Sequence, residues 1–287
     1  KVKASKEFQT FQFDHSFVLN SLKSSMEGYV FHNQPLDTDD LLEQTVKLFN
    51  SCKTSLELFD MLHNMRAYDD STYAHSLNVA LICRRIGKWL KVDAATLDTL
   101  TLCGLLHDIG KLKIPDEILN KPGKYTDEEF DLVKRHTKFG YELLKTLNID
   151  PHIKKAALLH HERCDGSGYP LKATQKDLDD FSMVVAIADV YDAMTAARSY
   201  RAPLCPFQVI ERFEQEGLQK YKPKFILTFL QHIASTYQNN RVLLSNGQSA
   251  NIVMLNQQHL ARPIVQLNDN SCIDLSTRLD LHIQSIL

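Results

Sequence analysis

The sequence predicts a mainly α protein, a helical bundle around a metal centre with a small β-rich C-terminal tail. Three observations carry that prediction. From about residue 37 to residue 238, apolar side chains recur at helical spacing in one segment after another. Seven residues able to ligate metal, His75, His107, Asp108, His136, His160, His161 and Asp189, lie between Tyr73 and Ala193 on segments whose periodicity turns them inward. Beyond Asn239 the texture changes to short apolar runs separated by turn residues.

Taken in order, residues 1–36 mix aromatic and polar side chains without clean periodicity and read as a linker or packing arm, with Phe17 to Met26 as a short helix. The helical domain is expected over residues 37–239. Thr38-Asp39-Asp40 cap a helix carrying Leu41, Leu42, Val46, Leu48 and Phe49, and Ser55 to Met65 forms the next. In Thr72 to Leu90 the stripe Val79, Ile82, Cys83 and Ile86 also contains His75, which therefore points inward. Leu97 to His107 is an apolar helix ended by the Asp-Ile-Gly-Lys turn. Thr126 and Glu129 form a capping box opening a helix whose inner face holds Phe130, Val133, His136 and Gly140. Pro151 to Glu162 is a helix ending in His160-His161, Asp165-Gly-Ser-Gly-Tyr-Pro170 is a loop, and Phe181 to Ala197 is a helix bearing Asp189. Residues 240–287 form the tail: a hairpin turning at Asn246-Gly247, then short strands at Pro263 to Leu267 and Cys272 to Leu275.

Composition narrows the function. A chain of 287 residues with 44% hydrophobic content has room for one large domain and an appendage. A net charge of −2 provides no basic field for long nucleic acid, so an anionic ligand must be held by local positive charge. The six scattered cysteines include no C-x-x-C pair and fit buried free thiols in a reducing compartment. With no bilayer-length apolar stretch and no signal-peptide core, the expected location is cytoplasmic. The start at Lys1 suggests a fragment of a larger protein with an upstream sensor or membrane anchor.

A buried cluster of imidazoles and carboxylates would leave costly unpaired polar groups unless it held metal. Adjacent His107 and Asp108 at a helix end can direct two side chains to one site, and Asp108 can bridge two cations. Ligands of this kind, without thiolate, favour iron or manganese, with zinc also compatible. Lys111, just after the pair, can neutralise a nonbridging phosphate oxygen, and Arg198 and Arg201 can face one phosphate from helical spacing. Gly166, Gly168 and Pro170 shape a loop whose backbone can approach a ligand, while Tyr169 either packs locally or stacks on that ligand. Asp192 reads as an orienting or capping carboxylate rather than a ligand.

In order, His75, His107-Asp108-Ile-Gly-Lys111, Asn120-Lys-Pro-Gly123, His136, His160-His161-Glu-Arg-Cys-Asp-Gly-Ser-Gly-Tyr-Pro170, Asp189 and Arg198-Ser-Tyr-Arg201 closely resemble the HD-GYP family of cyclic dinucleotide phosphodiesterases, a subgroup of the HD-domain phosphohydrolases. The resemblance implies His75, His107, Asp108 and Asp189 on one metal, and Asp108, His136, His160 and His161 on the other, with bridging water or hydroxide completing both shells. It implies Lys111 at the reacting phosphate, Arg198 and Arg201 as a phosphate-holding pair, and a GYP loop that borders the site and can meet protein partners. A homodimer and an upstream sensor domain are compatible with it. Ser199 stands where the family commonly has proline. Some members hold a third metal through a glutamate one turn before the first histidine, but position 71 here is Ser and Asp69 and Asp70 are out of phase, so two metals are expected.

The expected activity is hydrolysis of cyclic di-GMP to linear pGpG, and on to GMP, in bacterial second-messenger signalling. The same chemistry on cyclic GMP-AMP or another phosphoester is the second reading, since the quoted residues do not separate guanine from adenine. A catalytically quiet receptor for a cyclic dinucleotide or a protein is the third. Retention of all seven ligands and Lys111 favours the enzyme.

Overall fold

A computed structural model describes residues 5–65, 71–196 and 203–287. The chain forms two compact units, residues 1–202 and 203–287.

In the first unit, α1 (Lys6–His32) is one 27-residue helix burying Phe8, Phe11, Val18, Leu19, Leu22 and Met26. This exceeds the short helix expected at Phe17 to Met26. The reason is visible in the burial pattern: Phe13, Phe17 and Phe31 are 73%, 62% and 55% exposed, so apolar residues occupy both faces and blur the helical period. Next, α2 (Thr38–Ser51) is capped by Asp37, whose carboxylate accepts from Asp40 N at 3.0 Å. Thr38, Asp39 and Asp40, expected as the cap, instead occupy the first turn, where negative charge suits the helix dipole. The helix α3 spans Ser55–Met65. Ser71 caps α4 (Thr72–Trp89), and Asp93 caps α5 (Ala94–Leu106).

A 3-10 turn, Ile109–Lys113, follows α5 and leads to the short α6 (Asp116–Leu119). The predicted capping box of Thr126 and Glu129 opens α7 (Asp127–Lys134), but the chain breaks at Arg135 before α8 (His136–Leu144). Val133, His136 and Gly140 are buried as expected, whereas Phe130 is 45% exposed and leaves the inner face. Asp150 caps α9 (Pro151–Leu159), and Asp179 caps α10 (Asp180–Thr195). Each such cap contributes about 1 kcal/mol.

Helices α4, α5, α9 and α10 pack on one another, and α8 packs on α9 and on the 3-10 turn. Their centre contains Leu77, Leu81, Ile82, Ile86, Leu105, Leu106, Ala156 and Ile187, all fully buried. At about 1.5–3 kcal/mol for each large aliphatic side chain, this packing makes a rigid frame for the polar residues within it.

The second unit pairs α11 (Pro206–Lys220) and α12 (Pro223–Thr236) with an antiparallel sheet. Its strands are β1 (Arg241–Leu244), β2 (Ser249–Met254), β3 (Ile264–Leu267), β4 (Cys272–Asp274) and β5 (Ile283–Ile286), in the order β4-β3-β2-β1-β5. Val242, Leu244, Ala250, Ile252, Val265 and Ile283 are buried. The hairpin and both later strands lie where the sequence placed them, and β5 adds a fifth. The division after residue 202 differs from the expected boundary at 239, because α11 packs against α12 and β5. Among the described residues no helix is long and apolar enough to cross a membrane.

Candidate metal centre

Five helices and the turn after α5 bring the seven candidate ligands together. His75 lies in the first turn of α4, His107 ends α5, Asp108 precedes the 3-10 turn, His136 begins α8, His160 ends α9 with His161 next, and Asp189 lies within α10. Asp108 is central. Its Oδ2 is 3.6 Å from His75 Nε2 and 3.3 Å from His107 Nε2, and its Oδ1 is 3.3 Å from His136 Nε2 and 3.6 Å from His160 Nε2. Ligand atoms of His75, His107 and Asp108 lie within 4.8 Å of one another, as do those of Asp108, His136, His160 and His161. Asp189 reaches both groups, at 3.0 Å from His75 Nε2 and 3.6 Å from His161 Nδ1.

The positions of the imidazole protons test whether this cluster suits metal. His107 Nδ1 is 2.8 Å from Gly104 O, His136 Nδ1 is 2.6 Å from Val133 O, and His160 Nδ1 is 2.9 Å from Ala156 O. A carbonyl accepts only, so each Nδ1 carries a proton, and the tautomer protonated there alone aims a bare Nε2 lone pair at the cluster. Yet His136 Nε2 and His160 Nε2 stand 3.3 Å apart. Two lone pairs facing each other repel unless a cation lies near both. His107 Nε2 and Asp108 Oδ1 are likewise buried without a hydrogen-bond partner. Orphaned acceptors of this kind, converging from several elements, fit a bound cation.

Charge agrees with that fit. Burial pushes the Asp108 and Asp189 carboxyls up, but their neighbours outweigh it and hold both well below the usual range: the His107 ring and the Lys111 ammonium at Asp108, the hydrogen bond with His75 and the His161 ring at Asp189. Burial lowers His160 to about 4 and His161 well below its ordinary value, leaving both rings neutral. His75 is raised to about 9 because hydrogen bonds with Asp189 and Asp192 overcome burial. A metal ion replacing that proton would meet the same carboxylates. His75 Nδ1 is 2.8 Å from Asp192 Oδ2, the carboxylate–histidine arrangement that orients metal-ligating imidazoles.

The cluster opens to solvent on one side. His107, Asp108, His136 and His160 have side chains no more than 1% exposed, whereas those of His75, His161 and Lys111 are 17%, 20% and 23% exposed. Lys111 Nζ lies 2.5 Å from Asp108 Oδ2 at this mouth. Ser71, at the position of the extra glutamate in some HD-GYP proteins, accepts from Ala74 N and so caps α4. Arg198 and Arg201, like Asp69 and Asp70, lie outside the described residues.

Two glycines permit the close approaches. A Cβ at Gly110 would fall 2.0 Å from His136 O and 2.4 Å from Gly140 N, so the turn after Asp108 packs directly on α8. At Gly168 a Cβ would fall 2.4 Å from Glu162 Cα. The bare face of Gly168 thus meets the end of the His160-His161 segment. The Tyr169 ring packs against His161 with centroids 4.7 Å apart, and Tyr169-Pro170 is a cis bond.

Glu162 belongs to the site although it was not among the expected residues. It is 2% exposed and accepts from Leu171 N at 2.6 Å and Ala173 N at 3.0 Å, tying the loop after Pro170 back to the segment bearing His160 and His161. An acid directly after two candidate ligands, before a loop whose amides need acceptors, was the available signal.

Comparison with known proteins agrees with this geometry. The HD domain family profile matches residues 40–225. A 3'3'-cGAMP-specific phosphodiesterase of Vibrio cholerae is 34% identical over 183 residues, covering 63% of this chain and 35% of that protein. A cyclic di-GMP phosphodiesterase of Pseudomonas aeruginosa is 33% identical over 207 residues, covering 72% and 50%, and one of Thermotoga maritima is 35% identical over 178 residues, covering 61% and 48%. The chain thus spans half or less of the length of these relatives. An HDG"Y"P protein of Bdellovibrio bacteriovorus shares the fold, with a TM-score of 0.63 at 19% identity over 78% of this chain and 71% of that one.

Proposed function

Because this chain belongs to the HD domain family, we propose that it is a metal-dependent phosphodiesterase that opens cyclic di-GMP to its linear 5′-phosphorylated dinucleotide. The observation that carries the reading is the set of three buried imidazoles, His107, His136 and His160, whose Nδ1 protons are given to backbone carbonyls while their Nε2 lone pairs surround Asp108. We assign two metal ions of the iron or manganese type, one held by His75, His107, Asp108 and Asp189 and one by Asp108, His136, His160 and His161. When bound, such a pair supplies Lewis acidity toward phosphoryl oxygens and lowers the pKa of coordinated water.

The remaining steps fall to the chain's own residues. Lys111, at the open mouth beside Asp108, donates to a nonbridging phosphate oxygen as negative charge grows there in the transition state. Asp192 holds the His75 Nδ1 proton so that Nε2 stays directed inward. Tyr169 walls the mouth at His161, with Gly168 and Glu162 fixing its loop. Burial and the nearby Asp189 and Asp108 push the Tyr169 phenol up, so it stays protonated and able to donate. Arg198 and Arg201 are assigned to the phosphate remote from the reacting one.

Relatives named for both cyclic di-GMP and 3'3'-cGAMP support a second reading, the same hydrolysis on cyclic GMP-AMP. The test pairs metal analysis of carefully purified protein with hydrolysis of a cyclic dinucleotide panel. Two transition-metal ions per chain and linear dinucleotide product are expected. Metal-replete protein that hydrolyses none of the panel would sink the enzyme and leave a receptor.

A further inference from the structure

Phe130 occupies a position whose periodicity predicts core, yet it is 45% exposed. Its ring stands edge-on to Tyr169, with centroids 6.3 Å apart and planes at 79°. Tyr169 in turn packs on His161 at 4.7 Å. An aromatic line therefore runs outward from a candidate metal ligand to a solvent-exposed ring. The neighbours of Phe130 on α7 are charged: Asp127, Glu128 and Asp131 are exposed, and Lys134 Nζ lies 5.0 Å from the ring centroid while pairing with Asp131. A single ring in such surroundings is no apolar patch for a protein partner. It suits a flat, uncharged π-system, which the local carboxylates do not repel as they would a phosphate.

Resting on the reading of this site as a cyclic-dinucleotide phosphodiesterase, we propose that Phe130 is a substrate-binding residue on which a purine base of the substrate stacks. With the reacting phosphate at the cluster, the base attached through its sugar extends past Tyr169 toward Phe130. Tyr169 sets the direction of approach, and the base stacks on the face of Phe130 opposite the Lys134 ammonium. Stacking on this ring makes similar contacts before and during reaction, so it contributes to binding rather than to turnover.

The test is steady-state hydrolysis of cyclic di-GMP and cyclic GMP-AMP by metal-replete wild type and by Phe130→Ala, Phe130→Leu and Phe130→Trp, with metal content and Tm checked for each. Phe130→Ala should raise KM roughly 5- to 160-fold, the span of base–aromatic stacking, with kcat held within about threefold. Phe130→Leu should behave like Phe130→Ala, and Phe130→Trp should restore the wild-type KM. Wild-type KM in Phe130→Ala, or in Phe130→Leu, overturns the stacking role. So does a loss confined to kcat. Inactivity of the wild type on both substrates would overturn the enzymatic reading itself and this inference with it.

Discussion

Replacing Asp192 should weaken one metal site and spare the other. The perturbation is local: Asp192 Oδ2 accepts from His75 Nδ1 at 2.8 Å, with side chains 3% and 17% exposed. In Asp192→Ala that proton loses a charged acceptor, and nothing then selects the tautomer that directs Nε2 toward Asp108 and Asp189. A hydrogen bond to a charged group contributes about 1.5–3 kcal/mol. Loss of a carboxylate behind a metal-bound histidine costs about 10–100-fold in metal affinity, or about 1.4–2.7 kcal/mol, so the two estimates agree. Asp192→Asn keeps an acceptor without the charge and should fall at the low end of that range. His136, His160 and His161 do not depend on Asp192: the first two are oriented by Val133 O and Ala156 O. Chelator-competition titration of metal-free protein with manganese(II) should resolve two classes of site. In Asp192→Ala one class should weaken about 10–100-fold while the other stays within about threefold. Equal weakening of both classes, or none in either, would refute the assignment of His75 to a separate ion.

Asp108→Ala should abolish hydrolysis and lower metal content together, because Asp108 is the carboxylate common to both ligand groups; full metal content with near wild-type turnover would contradict the bridging role. Lys111→Ala should reduce kcat by about 10²–10³ while changing KM little, and steady-state kinetics that showed only a KM effect would move Lys111 away from the reacting phosphate. Asp60 is raised to about 6 by burial, so its charged form is disfavoured in the fold. A raised carboxyl pKa means this site favours the folded state most below the unfolded value near 4 and loses that contribution as pH rises through about 6. Asp60→Asn should therefore stabilise the protein by about 1–2 kcal/mol at pH 8, after discounting for its partial exposure, and have little effect near pH 3; equal shifts in thermal unfolding at both pH values would contradict the burial account.

Much of the candidate site was legible because metal ligation constrains residue type and spacing together. His75 and His136 share helical stripes with buried aliphatics, and the Thr126–Glu129 capping box is a local code that tertiary packing had no reason to override. The helices near the cluster were legible for the same reason, since 3.6-residue periodicity survives wherever one face is buried. Where that contrast failed, so did the reading. The exposed Phe13 and Phe17 hid the length of α1, and the break at Arg135 puts Phe130 and His136 on different helices, so the single stripe expected to run through both does not form.

Ligand type and helical phase are local properties, so the candidate ligands and their order along the chain could be read without a fold. Their mutual placement follows from tertiary packing. That Asp108 turns one oxygen to His107 and the other to His136 depends on α5 ending where α8 begins beside it, an approach Gly110 permits. The proton positions that leave three Nε2 atoms bare depend on carbonyls of particular helical turns. Glu162 became meaningful once its carboxylate was seen to face the amides of Leu171 and Ala173, since a hydrogen bond across a loop has no signature in spacing. The grouping of α11 and α12 with the sheet likewise follows from packing between residues distant in sequence, which no local pattern encodes.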